Sequence, residues 1–202
     1  MRTQPISLAL LLVCATALQA QQIDYSRVWD QATPFDQFLQ GVKAREAQWK
    51  SRFANAAVEA QILTDVRGLT EKRRILVVAA DTCSDSAWAV PYIAKLAAAV
   101  PERLELRVIG RKEGSRIQAA HLTPDGRLAT PTIVVLDEHH RALGAWVERP
   151  AELQKWVISN RASVSADALH EHIDNWQKDD AGKTTVREIV AVLKNSAAPG
   201  GK

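Results

Sequence analysis

A chain of 202 residues with 47% apolar and 24% charged side chains carries enough apolar surface for one folded domain with a core, which excludes a disordered or fibrous protein. Lys and Arg number 26 against 23 Asp and Glu, with the signs interspersed apart from Lys72-Arg73-Arg74. The dense basic stripe or aromatic platform of a nucleic-acid binder is missing, so no nucleic-acid partner is expected.

The N-terminal stretch "MRTQPISLALLLVCATALQAQQ" has Arg2, an apolar run from Ile6 to about Ala15, then small residues before a Gln pair. This reads as a secretory signal over residues 1–20, cleaved after Ala17 or Ala20. The run is shorter than the roughly 20 residues of a membrane-spanning helix, so no stable membrane insertion is expected after cleavage. Cys14 follows Val13, where a lipobox has Gly or Ala, and reads as filler within the signal. Cleavage removes Arg2 alone among the charged residues, taking the net charge from +3 to +2, and leaves Cys83 as the one cysteine. The expected location is periplasmic or secreted, an oxidising setting in which a lone thiol has no internal partner. Such a cysteine is either a small buried hydrophobe or a reactive group.

The mature chain reads as a single domain over 21–202. It has an N-terminal helical extension at about 33–70, a core at about 71–161 and a C-terminal helical extension at about 162–196. Thr33-Pro34-Phe35-Asp36 supplies an N-cap, a proline at the first helical position and an acid in the first turn. Apolar residues at Phe35, Phe38, Leu39, Val42, Trp49, Phe53, Ile62, Leu63 and Val66 then predict one or two amphipathic helices over 34–69. "ILVVAAD", Ile75 to Asp81, is a β-branched apolar run of the kind buried on both faces of a sheet. Residues 84–99 predict a helix, 104–110 a second strand and 115–121 a short helix. Pro131 to Asp137 predicts a third strand, Glu138-His139-His140 a turn and "RALGAWV" a fourth strand. Helices are predicted at about 150–161, 165–177 and 184–195. The order is that of an α/β protein with a mixed sheet of about four strands.

Cys83 falls two residues past the predicted strand and at the start of a helix, where free N–H groups and the helix dipole favour a thiolate. Strand, Cys-x-x-Ser, helix, and a later Thr-Pro opening a strand resemble the thioredoxin superfamily. Pro91, eight residues after Cys83, matches that family's helix-kinking proline, Thr130-Pro131 its cis-proline step, and Gly144 a glycine of its last strand. "VPYIAKLAAAVP", "LELRVIGRKE", "VLDEHHRALGAWVERP", "WQKDDAGKTTVREIVAVL" and "TPFDQFL" further resemble a thioredoxin-like branch whose active site reads Trp-Cys-Gly-Asp-Cys. The resemblance implies a three-layer α/β/α fold with extra helices at both ends. It assigns the nucleophile to Cys83 and the motif's acid to Asp85. It also implies a partner-binding surface at Thr130, Pro131, Thr82 and Trp88, with a cis bond at Pro131 that leaves the preceding backbone free to pair with an extended peptide.

The sequence departs from that branch at Thr82, Ser84 and Ser86, and has Val77 where thioredoxin carries a buried acid. A dithiol enzyme attacks a disulfide with its first thiolate and clears the mixed disulfide with its second thiol. Ser86 cannot displace sulfur, although its hydroxyl is placed to donate a hydrogen bond to the Cys83 thiolate. The expected activity is thiol–disulfide exchange or isomerisation of monothiol type, with protein thiols or disulfides, or a small thiol such as glutathione, as partners. The alternative is a redox-inactive binding or chaperone-like module. No cofactor is expected. His139, His140, His170 and His172 lack zinc-site spacing, so no metal is expected either. Trp49, Trp146, Trp156 and Trp176 read as packing residues.

Overall fold

A computed structural model describes residues 22–196; the proposed signal segment and Cys14 lie outside the described residues. Five strands form one mixed sheet in the order β1-β3-β2-β4-β5. They are β1 (Thr33–Pro34), β2 (Arg73–Val78), β3 (Leu104–Ile109), β4 (Thr132–Leu136) and β5 (Ala142–Val147). β2 runs parallel to β3 and antiparallel to β4, and β5 completes a hairpin with β4. In that hairpin the Asp137 carboxylate accepts from the backbone N–H groups of His139 and Arg141, which fixes the predicted turn.

The apolar runs are buried on both faces because alternate residues serve different layers. Ile75, Val77, Ile133 and Val135 belong to one core cluster with α5 (Ser84–Ala99) and α9 (Lys183–Leu193). Leu76, Val78, Val134 and Leu136 face the other way, against Trp29 of α1 (Tyr25–Gln31) and Ile117 of α6 (Ser115–Ala120). A smaller cluster of Leu153, Val157 and Ile173 joins α7 (Ala151–Asn160) to α8 (Ala166–Asp180). This is the three-layer α/β/α arrangement expected from sequence.

Three local expectations are corrected. Segment 34–69 forms three helices, α2 (Phe35–Gly41), α3 (Glu46–Asn55) and α4 (Ala60–Arg67). Thr33 is not an N-cap but pairs with Val108 at the sheet edge, so β1 adds a fifth, two-residue strand. The strand expected over Ile75 to Asp81 is β2, which ends at Val78 and leaves a loop over 79–83 before α5.

The terminal helices grip the structure around α5. Trp49 of α3 is fully buried, and its indole N–H donates to the Asp81 carbonyl at 3.1 Å. Between α8 and α9, Gly182 has φ +76, and a Cβ there would lie 2.2 Å from the Tyr92 ring of α5. Gly182→Ala combines left-handed strain with a ring clash, and is expected to cost about 2 kcal/mol, measured by urea unfolding. A loss below about 0.5 kcal/mol would show that this junction moves freely. Among the described residues no helix is long and apolar enough to cross a membrane.

Candidate active site

The loop after β2 is tied down from outside the core. The Asp81 carboxylate accepts from the backbone N–H groups of Lys43 and Ala44 at 3.1 and 3.0 Å, and these bonds hold its carboxyl below the ordinary range. Arg45, whose own backbone is left-handed at φ 54, donates from Nε to the Thr82 carbonyl at 2.9 Å. The turn between α2 and α3 therefore fixes both residues that precede Cys83.

Cys83 is the N-cap of α5 and is partly exposed. Its Sγ accepts from the Ser86 backbone N–H at 3.5 Å and donates to the Thr130 carbonyl at 3.2 Å. The Thr130–Pro131 bond is cis, as the resemblance implied. The segment around it is held by the Ala129 carbonyl, which accepts from Gln118 Nε2 at 2.7 Å and from the Thr132 hydroxyl at 2.8 Å. The Pro131 carbonyl in turn accepts from the Glu148 N–H at 2.8 Å. Cys83, Ser86, Thr130 and Pro131 are thus brought together. Thr82 is exposed beside them.

Ser86 behaves differently from the expectation. The residue is fully buried, and its hydroxyl has no hydrogen-bond partner among the described residues. The donor to sulfur is the backbone N–H, because the helical geometry that places it under Sγ turns the side chain into the interior.

Asp85 is likewise buried, in a two-pronged pair with Arg149 at 3.0 and 2.7 Å, with Gln177 of α8 at 3.4 Å. Burial pushes its carboxyl up, the Arg149 guanidinium opposes that, and nearby Glu148 adds to the rise. Glu148 binds Arg149 at 2.9 Å and Arg127 at 2.8 Å, and accepts from Gln154 at 2.9 Å. Arg127 continues the network to Asp125, which Arg161 also holds. Three carboxylates and three guanidiniums alternate, so the network is neutral as a whole and locks the start of α5 to the end of β5 and to α8.

Trp88 is buried rather than presented at the surface, beneath Arg52, whose guanidinium carbon lies 4.3 Å from the ring centre. Arg52 has a second task that the sequence could have shown. Pro91 has no N–H, which leaves the carbonyl four residues back, that of Ala87, without its helical partner. Arg52 Nη1 donates to that carbonyl at 2.9 Å. Arg45, Gln118, Arg127, Glu148 and Arg149 were also missed. Arg149 lies near the end of the segment "VLDEHHRALGAWVERP" that carries part of the resemblance, but nothing local linked it to Asp85.

Comparison with known proteins agrees with this architecture. No curated protein matches. Two solved structures do: a protein of unknown function from Pseudomonas aeruginosa, and an HIV epitope scaffold. The first is 19% identical and covers 86% of this chain and 98% of that one, with a TM-score of 0.64. The second is 19% identical over 87% and 100%, with a TM-score of 0.65. At this identity the likeness is one of fold alone. Residues 32–168, which hold the Cys83 turn, the sheet and the cis-proline, match the family model described as "Thioredoxin", and the chain belongs to that family.

Proposed function

We propose that this is an exported monothiol exchange protein of the thioredoxin-like branch that its flanking segments resemble, with Thr-Cys-Ser-Asp-Ser as its active site, forming mixed disulfides at Cys83 by exchange with protein disulfides or the disulfide of a small thiol such as glutathione. The observation that carries the reading is the partly exposed Cys83 sulfur at the start of a 16-residue helix, 3.2 Å from the Thr130 carbonyl. The Cys83 thiolate attacks one sulfur of a partner disulfide. The old S–S bond breaks, a Cys83–S bond forms, and the displaced thiolate takes a proton from solvent, with no net oxidation. Deprotonation removes the S–H donor from the Thr130 carbonyl, which then accepts an N–H from the partner chain. The Ser86 hydroxyl cannot expel the partner, so release needs a thiol from outside or from the substrate itself.

The mature chain without residues 1–20, incubated with oxidised glutathione, acid-quenched and weighed, is expected to gain one glutathionyl group at Cys83. The rate should be at least about ten times that of free cysteine, and reduced glutathione should remove the group. A rate no higher than that of free cysteine would sink the exchange reading and leave a redox-inactive binding module in its place.

A further inference from the structure

A polar cavity of about 190 Å³ opens beside the start of α5, with Arg45 and Arg52 on the α3 side, Ser84 and Trp88 from α5, and Asp174 and Lys178 from α8. It adjoins the sulfur's immediate neighbours, since Ser84 lines it and Arg45 holds the Thr82 carbonyl. Its three cations face a single carboxylate, an excess of two positive charges.

Other cations around the start of α5 and along α9 are paired with carboxylates, as in Arg127, Arg149, Arg161, Arg187 and Lys194. Among the described residues none of Arg45, Arg52 and Lys178 forms an ion pair. Arg45 is bonded to Thr82 and Gln48, and Arg52 to Ala87, all neutral acceptors. Burial holds Arg52 below its ordinary value, Tyr92 and Asp174 act against that, and Arg45 adds to the lowering. Uncompensated guanidiniums around a polar hollow are suited to a carboxylate, which two parallel N–H donors can grip.

We propose that this cavity binds a carboxylate of a low-molecular-weight disulfide whose sulfur Cys83 attacks, an inference that rests on the exchange reading above. A volume of about 190 Å³ is below the roughly 300–1,000 Å³ of pockets that enclose a whole ligand. It admits one carboxylate-bearing arm while the rest of the molecule lies across Cys83. In the exchange step the carboxylate is unchanged; the ligand's S–S bond breaks, the Cys83–S bond forms, and the leaving thiolate is protonated by solvent.

Two measurements test the cavity and the thiol separately. The first compares the rate of Cys83 modification by oxidised glutathione, an anion, with that by neutral hydroxyethyl disulfide. Lys178→Glu should lower the ratio of these rates by about five-fold and Arg45→Gln by about three-fold, with both effects shrinking at high salt. Lys72→Glu, the same charge change at the far end of β2, should leave the ratio unchanged. The second titrates oxidised glutathione into mature Cys83→Ser protein, without residues 1–20, by calorimetry, where no exchange can occur. Binding that weakens about five-fold with Lys178→Glu supports the cavity.

An unchanged rate ratio, or binding indifferent to Lys178, overturns the proposal. If Cys83 reacts with neither disulfide, the exchange reading fails while the calorimetry still decides the cavity. A glutamate-flanked peptide disulfide offers the same carboxylate. Charge dependence with that peptide but not with oxidised glutathione would overturn the small-molecule assignment.

Discussion

Replacing Arg149 by Met is expected to destabilise the protein by about 3–5 kcal/mol at neutral pH, the cost of stranding a buried charge. Arg149 binds Asp85 through two bonds at 3.0 and 2.7 Å, and its own side chain is only 12% exposed. Glu148 would keep Arg127 and Gln154, so the stranded group is Asp85, left with Gln177 at 3.4 Å. The loss should depend on pH, with a definite sign. Burial already pushes the Asp85 carboxyl above its ordinary value, and Arg149 opposes that rise. Without Arg149 it rises further. A carboxyl raised on folding contributes stability that is present below its unfolded value of about 3.9 and lost as pH rises through the folded value. Urea unfolding should therefore show a smaller deficit near about pH 4 than near about pH 7. Adding Asp85→Asn to Arg149→Met should recover much of the deficit. An equal deficit at both pH values would assign the effect to lost packing instead of a stranded charge.

How far this arrangement can be read from sequence depends on the range of each interaction. Ile75 to Val78 and Ile133 to Leu136 were legible because a run buried on both faces needs no partner to be recognised. Cys83, Pro91 and Thr130-Pro131 were legible because each is tied to the start, interior or preceding turn of an element already assigned. α1 was missed although Asp24 caps it through the Arg27 N–H; seven residues with one buried apolar anchor, Trp29, give too little periodicity. The break between α2 and α3 turns on Arg45 in the left-handed region, a position where glycine would have been a signal and arginine is none. The polar network was hidden for another reason. Arg149 and Asp85 are 64 residues apart, and Gln177 and Asp85 are 92 apart. Nothing in the pattern of charges singles out those pairs, because only folding brings the end of β5 and α8 to the start of α5. Arg52 is the exception, since the carbonyl freed by Pro91 is a vacancy that sequence alone defines.

Restoring a second sulfur by Ser86→Cys is expected to raise insulin disulfide reduction, with dithiothreitol as electron source, at least about ten-fold over the parent chain, because clearing the mixed disulfide becomes intramolecular. The geometry favours the change. The Ser86 N–H lies 3.5 Å from Cys83 Sγ, which places the two side chains within one helical turn. The Ser86 hydroxyl is fully buried with no partner among the described residues, a desolvation cost that a thiol bears more easily. Removing that hydroxyl should stabilise the reduced protein by roughly 1 kcal/mol, so Ser86→Cys and Ser86→Ala should both raise Tm. Only Ser86→Cys should gain activity, which separates repair of a buried polar group from repair of the chemistry. If folded Ser86→Cys protein reduces insulin no faster than Ser86→Ala, the site lacks more than a resolving thiol. Thr82, Ser84 and the Val77 position would then be the next differences to restore.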